Sequence, residues 1–533
     1  MAVRVTSNGS SMSFNLATML REARKSHHDK VLCHIGELTF SYAQVDEISG
    51  RVATSLRGLG LQTGDKVAVQ LPNLPQFLFT YFGILKAGLI MVPLNPLLQA
   101  PEVAYHLEDS DARVLVTFEM FAGEAVKGAA QVDGVTTYVV NLPGSEQRPE
   151  GTRHFDELYF ADDTGDIEPT GSDDTAVIIY TSGTTGKPKG AELTHFQLFM
   201  NCTVAGELFG FRDDDVGVAV LPLFHVFGLS SVLNVCVRFN GTLVLVPRFE
   251  PGSIIDAIEK HRCTIFSGVP TMYFGLLQAD TSGRDLSSLR VCVSGGAAIP
   301  GEIIRVFEEK FPRVVILEGY GLSETASTTT FNFNAEQRKV LSIGKPIWGV
   351  EVRVVDSEDN PLPPGTGNVG EIVIRGHNVM KGYYKNPEAT AEAFRGGWFH
   401  AGDLAYVDED GYLFIVDRKK DLIIRGGYNV YPREVEEVLF THPAIAEAAV
   451  IGTPDEKLGE EVTAFVVPKP GAAVTTEDVT AYCRERLAAY KYPRDIRIAD
   501  HLPKGPTGKI LKQELRAIAA VAASRACGQD WPQ

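Results

Sequence analysis

"IIYTSGTTGKPKGAELTH", from Ile178 to His195, leaves an apolar run for small polar residues, three glycines and two lysines around Pro188. The run before it, "TAVIIY", reads as a buried strand. Ligands of open α/β sheets bind where strand ends meet such turns. Glycine admits φ > 0 and lets a ligand come close to the backbone. Successive main-chain N–H groups then form a nest for anions. Hydroxyls at Thr181, Ser182, Thr184 and Thr185, with Tyr180 at the edge, add donors, and Lys187 and Lys189 add charge. A plain Gly/Ser turn has no need of two lysines, so the stretch reads as a phosphate cradle around Gly183 and Gly186. It is not a Walker A loop, which needs four residues between its glycines and Ser or Thr after the lysine. Here two residues separate Gly183 from Gly186, and Pro188 follows Lys187. "GYGLSE", Gly319 to Glu324, likewise fails the G-x-G-x-x-G pattern.

Upstream, helical periodicity in "YAQVDEISGRVATSLRGLG" and "PQFLFTYFGILKAG" alternates with the strands "DKVAVQLPN" and "IMVPLN". Strands alternating with helices imply a largely parallel α/β sheet. Residues 155–174, rich in acid and turn residues, read as a solvated loop. Downstream, "CTIFSGVP", "RVCVSGGAAIP" and "VVILEGYGLSE" each run from an apolar strand into a glycine-rich turn. After about Gly344 the texture becomes antiparallel: two alternating strands around a Pro/Gly turn, then a β-meander from "GWFHAGD" to "DGYLFIVDR". Beyond "DRKKD" comes a compact tail. Its helices are "YPREVEEVL", with Pro432 in the first turn, and "TTEDVTAYCRERLAAY", with a capping box at Thr475 and Asp478.

The chain has 533 residues, a prior of about three or four domains. A net charge of −17 argues against a general nucleic-acid binder. Seven cysteines without a CxxC pair point to reduced, mostly buried thiols of a cytoplasmic protein. The N-terminus lacks the apolar core of a signal peptide, and the terminal "DWPQ" is not a peroxisomal signal. The uncharged stretch 216–237 has transmembrane length but contains Pro222, His225, Gly228 and Asn234, which suit a strand, a turn and a buried helix better.

"YTSGTTGKPKG" resembles the signature loop of the AMP-forming adenylating superfamily of acyl- and aryl-CoA synthetases, adenylation domains and firefly-type luciferases. Six further stretches match in the family's order: "LPLFHVFG" (221–228), "SGGAAIP" (294–300), "EGYGLSET" (318–325), "GWFHAGD" (397–403), "DRKKDLIIRGGYNVYP" (417–432) and "PTGKI" (506–510). The resemblance spans about residues 35–516. It implies a large N-terminal domain, residues 1–417, of parallel-rich α/β sheets plus a small β-barrel-like meander. A hinge at 418–421 and a small mobile α+β domain at 422–533 would follow.

The implied chemistry is attack of a carboxylate on the α-phosphate of ATP, giving acyl-AMP and pyrophosphate, then displacement of AMP by a thiol. By resemblance, Thr181–Lys189 would wrap the β- and γ-phosphates. Ser323 would bond the α-phosphate, and Glu324 would hold Mg²⁺. A hard cation wants a carboxylate beside phosphate oxygens. Gly295, Gly296, Ala297 and Glu318, Gly319, Tyr320, Gly321, Leu322 would form the adenine wall, with Tyr320 as the stacking face. Asp403 would read the ribose with Arg418 as partner. Lys509 would be the adenylation lysine, and His225 would sit beside the carboxylate and the thiol tunnel. Lys420 would be the hinge, with Arg425, Gly426 and Gly427 facing CoA. Where several plant-type ligases carry a lysine this chain has Ile424, which weakens transfer of their thiol-step details.

For the acid, Phe227, Ser231, Val269, Met272 and Tyr273 are the candidate pocket residues. No charge interrupts them, and Phe227 lacks a hydroxyl to read a ring substituent. This favours a medium- or long-chain fatty acid, as in bacterial fatty-acid-CoA ligases, over a cinnamate-type acid. An enzyme loading a carrier protein, a luciferase-like oxygenase and a non-catalytic AMP-binding module are the other readings. The last is disfavoured because Glu324, Asp403, Arg418 and Lys509 are all present. The partners expected are the acid, ATP and CoA, with no nucleic acid and no membrane span. The resemblance leaves room for a homodimer.

Overall fold

A computed structural model describes residues 13–181, 187–505 and 508–526, the last helix beyond 520 by its backbone alone. The α/β pattern folds into two large sheets. One has seven strands, in spatial order 153–154, 136–140, 112–118, 66–70, 90–93, 175–181 and 189–194. All its neighbours are parallel except the last pair, which turns back through the glycine-rich loop. The second has nine strands. Its parallel middle runs 315–320, 291–294, 265–268, 216–219, 242–245 and 31–35. The parallel strands 66–70, 90–93, 112–118, 242–245, 265–268 and 291–294 are short, mostly apolar and each followed by a helix, the connection that parallel strands need.

Two sequence-adjacent helices pack closely beside the seven-stranded sheet. Ser41 and Gln44 form a capping box for Tyr42–Gly58, and Pro75 opens Pro75–Lys86. They touch where Gly83 meets Val52; a Cβ at 83 would come within 2.6 Å of Val52 Cγ1. Lys86 is fully buried there and is ion-paired at 2.6 Å to equally buried Asp46, which Arg21 and Arg24 also reach. A buried charge survives only when partnered in this way.

Of residues 155–174, which the composition predicts as a solvated loop, the first five differ, while most of the rest is loop and exposed or half-buried. Phe155–Tyr159 is a short 3₁₀ helix with Phe155 and Leu158 buried. Ser55, on the helix Tyr42–Gly58, donates to the Leu158 carbonyl. Apolar residues three apart share one face and outweigh the acidic composition around them. In the uncharged stretch, a strand Val216–Ala219 leads to a π-helical run Phe227–Asn234. No described helix is long and apolar enough to cross a membrane.

The antiparallel meander curls as strands Val350–Val355, Gly370–Gly376, Phe394–Arg395, Trp398–Val407 and Leu413–Arg418. The C-terminal domain builds a sheet from 423–425, 428–430, 445–455, 459–468 and 495–498. Its apolar cluster, including Ile423, Val435, Val450 and Val479, is separate from the large core beneath the two big sheets. Thr475 and Asp478 form the capping box that their spacing predicts. Six cysteines are free and buried among the described residues; Cys527 lies outside them.

Candidate active site

The strand Thr175–Thr181 and its return Lys189–Thr194 pair from Thr175 opposite Thr194 to Thr181 opposite Lys189. Ser182, Gly183, Thr184, Thr185 and Gly186 lie outside the described residues. Both shoulders of the loop are anchored on the helix Ala100–Ser110. The Tyr180 hydroxyl donates to Asp109 at 2.6 Å, and the Tyr105 hydroxyl donates to the Pro188 carbonyl at 2.7 Å. The Lys187 ammonium lies 5.9 Å from the Tyr105 ring, and that of Lys189 lies 5.0 Å from the Tyr383 ring. Aromatic faces attract the lysines without neutralising them, which leaves their charge for an anion.

Opposite the loop, strand Val315–Tyr320 ends in a 3₁₀ turn, Ser323–Thr325. Glu324 Oε1 accepts from Thr181 Oγ1 at 3.2 Å and from the Tyr383 hydroxyl at 3.0 Å. Among the described residues no three His, Cys, Asp or Glu side chains converge as a metal cage. A lone carboxylate beside a phosphate-type loop still suits Mg²⁺, which keeps waters and takes substrate phosphate oxygens. The chain then turns through left-handed backbone at Ala326 and Ser327 (φ 54° and 107°). Asn201 accepts from Thr328 N and donates to its carbonyl, and Asn378 donates to that carbonyl too. A Cβ on Gly321 would fall 1.4 Å from the Ser327 carbonyl oxygen, so only glycine fits there.

Asp403 and Arg418 face each other across the meander. Arg418 Nε is 3.1 Å from one Asp403 oxygen, and the Tyr320 hydroxyl donates to the other at 2.7 Å. The Asp403 carboxylate holds the Arg418 guanidinium above its ordinary pKa.

From the other domain, the loop before the last helix docks on the same cleft. Thr271 Oγ1 reaches the Gly508 carbonyl at 3.4 Å, and a Cβ on Gly508 would clash with Thr271. The adjoining Lys509 stands where solvent can enter but protein crowds it. That lost hydration, then repulsion by Arg418, brings its pKa down to about 8. Burial, then the Lys509 charge, pushes His225 to about 4. Its Nδ1 accepts from Phe227 N at 3.3 Å, so the neutral ring carries its proton on Nε2. Lys509 is cationic below its pKa and loses that charge above it. We therefore expect kcat/KM for ATP to fall above about pH 8, following the free-enzyme group. A pH profile of pyrophosphate release checks this; a flat profile to pH ~10 counts against a protonated Lys509.

The π-helical run Phe227–Asn234 supplies Phe227 and Ser231. π turns are frequent at functional sites. The Phe227 ring packs 3.1 Å from where a Cβ on Gly295 would stand, and Val269 lies 3.7 Å from that point on Gly296. Ser231 Oγ bonds Ser327 Oγ at 2.7 Å. Beyond Ser231 is a small, mostly apolar cavity lined also by Phe209, Val232, Leu243 and Ile265. Met272 is buried on the helix after Val269. Tyr273 is not a pocket residue: its fully buried ring packs between Phe266 and Phe307, and its hydroxyl donates to the Val293 carbonyl. Its ring is taken up by Phe266 of the strand 265–268 and Phe307 of the helix Gly301–Lys310.

Glu318 departs from the adenine wall in a similar way. Its carboxylate accepts from Leu341 N at 3.0 Å and is pushed up to about 8 by burial, with Arg433 opposing. Glu318 and Tyr320 are two apart on the strand and start on the same face, but Leu341 N draws the first away and Asp403 draws the second. Gly319, Leu322 and Ser323 border the turn, and Gly296 and Ala297 are exposed at its mouth. Arg425 is held by Glu461 at 2.6 Å, beside left-handed Gly426 and Gly427, within the C-terminal sheet. Lys420 is exposed in the turn after Arg418. Sequence reading misses Tyr383, Tyr105 and Asp109, although "GYY" at 382–384 is an aromatic pair with no helical or strand face to fill.

The profile described as AMP-binding enzyme matches residues 20–384, and that of the AMP-binding enzyme C-terminal domain matches 434–509. The long-chain-fatty-acid–CoA ligase of Bacillus subtilis is 39% identical over 506 residues, covering 90% of each chain. A feruloyl-CoA synthase of Amycolatopsis is 39% identical over 499 residues, covering 93% of this chain and 97% of its own. The crystal structure of ATP-bound MatB from Rhodopseudomonas palustris superposes with a TM-score of 0.87 at 33% identity, covering 95% of this chain and 99% of that one. The matched profiles, the order of the motifs and the cleft they build agree: the chain belongs to the AMP-binding enzyme family, among its AMP-forming CoA ligases.

Proposed function

We propose that the protein activates a medium- or long-chain fatty acid as acyl-AMP and transfers the acyl group to the thiol of CoA. The observation that carries this reading is the cleft in which the Lys509 charge acts on His225 and on the Asp403–Arg418 pair. In it, Asp403 with Arg418 holds the ribose, and Gly295–Ala297 with Tyr320 covers the adenine. The neutral His225 offers Nε2–H to the incoming carboxylate. Lys509 stabilises negative charge that grows as that carboxylate attacks the α-phosphate. Ser323 bonds the α-phosphate, and Thr181–Lys189 holds the two phosphates that leave. Mg²⁺ on Glu324 would neutralise phosphate charge. The C-terminal domain then turns about Lys420 and presents Arg425–Gly427 to CoA.

Phe227, Val269 and Met272 offer apolar walls without a charge, which supports an aliphatic chain. A second reading, an aryl acid of the feruloyl or coumaroyl type, draws on one feature. The Ser231–Ser327 hydroxyl pair could bond a ring substituent. Pyrophosphate release across acids of two to eighteen carbons and aryl acids, with and without CoA, separates the two. We expect the highest kcat/KM with acids of eight or more carbons, and thioester with free CoA. Faster turnover of hydroxycinnamates would overturn the fatty-acid reading, and acyl-AMP without thioester would point to a carrier protein.

A further inference from the structure

The segment 380–385 has no part in the roles assigned so far, yet it touches both halves of the phosphate site. It runs as an edge against the return strand. Glu192 N donates to the Gly382 carbonyl at 2.9 Å, Lys381 N to the Glu192 carbonyl at 3.0 Å, and Tyr384 N to the Gly190 carbonyl at 2.8 Å. Ala191 and Tyr383 form an antiparallel bridge. On its other side, Met380 N donates to the Glu324 carbonyl at 2.7 Å. The far end is fixed on the helix that anchors the loop. The Tyr384 hydroxyl donates to Asp111 at 2.8 Å, and Lys385 is ion-paired to the same carboxylate at 2.5 Å.

Tyr383 stands in the middle of this brace. Its hydroxyl bonds Glu324 Oε1, and its ring underlies the Lys189 ammonium. Thr181, the last residue of the incoming strand, donates to the same oxygen. Two donors on Oε1 fix the rotation of the carboxylate and set which way Oε2 faces.

We propose that Tyr383 is a positioning residue that ties the return strand of the phosphate loop to Glu324. It holds the cation-binding carboxylate and Lys189 at one fixed spacing. The inference rests on Glu324 as the Mg²⁺ ligand and on the loop as the phosphate site.

The test is Tyr383→Phe in the full chain, which keeps the ring under Lys189 and removes only the hydroxyl. ATP binding is followed calorimetrically against Mg²⁺ concentration, with Glu324→Gln alongside. Removing a group that orients a metal ligand typically costs about tenfold or more in metal affinity. We expect the Mg²⁺ concentration for half-maximal ATP binding to rise by about that factor. KM for ATP should rise with it, while thioester formation from supplied acyl-AMP and the Tm stay unchanged. An unshifted Mg²⁺ dependence in Tyr383→Phe, with a shifted one in Glu324→Gln, overturns the positioning role and leaves the metal-ligand reading standing. If both variants bind ATP as the parent does across Mg²⁺ concentrations, the reading of Glu324 falls and the proposal with it. A lowered Tm with equal losses in both half-reactions would make Tyr383 a merely structural residue.

Discussion

Lys509→Ala is expected to lower acyl-AMP formation by about 10²–10³-fold, the usual cost of removing one donor aimed at developing charge. Thioester formation from supplied acyl-AMP should survive. The asymmetry follows from geometry. Lys509 enters the cleft on a loop held at Thr271, beside His225 and the Asp403–Arg418 pair. The glycines proposed to face CoA, Gly426 and Gly427, lie on a different edge of the same small domain, next to Arg425 and Glu461. One rigid domain cannot offer both edges to one cleft at once. Separate assays of pyrophosphate exchange and of thioester release decide the matter. Equal loss in both half-reactions, or none in either, removes Lys509 from its assigned role.

Lys420→Pro tests the movement itself, and its expected signature is the reverse. Adenylation should persist while overall turnover falls by at least about tenfold, a barrier increase of roughly 1.4 kcal/mol. Proline fixes its own φ and restricts the residue before it, which takes torsional freedom from Lys419 and Lys420 together. The flanks of this turn are already tied down. Lys419 N donates to the Gly402 carbonyl at 2.9 Å, and its ammonium pairs with Glu371 at 3.1 Å. Asp421 pairs with Arg516 at 2.7 Å, on the last helix of the C-terminal domain. Exposed Lys420 is left between two anchored neighbours, which is where a rotation would concentrate. Unchanged overall turnover in this variant rules out rotation about this residue as the link between the two half-reactions.

The parts of the site read most easily from sequence are those made by consecutive residues. A glycine-rich loop after an apolar strand, or a capping box, carries its own local signature. What escapes is set by partners far along the chain. Tyr383 lies 59 residues from Glu324, and Tyr105 lies 83 from Pro188. Nothing near either tyrosine announces its target. Glu318 and Tyr273 show a second limit. Each belongs to a stretch that borders the site, but a partner elsewhere in the chain, Leu341 N for Glu318 and the Val293 carbonyl for Tyr273, holds its side chain away. Phe155–Tyr159 shows a third, since composition marked it as loop while two apolar residues on one face buried it.

The two walls of the cleft are built from different materials. Around Gly321 and Ser327 the wall is main chain, packed so closely that no side chain can be added, and clamped by Asn201 and Asn378. Around Phe227, Val269 and Met272 it is side chain, on helical turns that tolerate exchange. Divergence can therefore retune the second wall while the first stays frozen. A lineage built this way can trade one acid for another by a few substitutions and inherit the adenylating chemistry intact. The same division makes the Phe227 side the place to begin any redesign of acid preference.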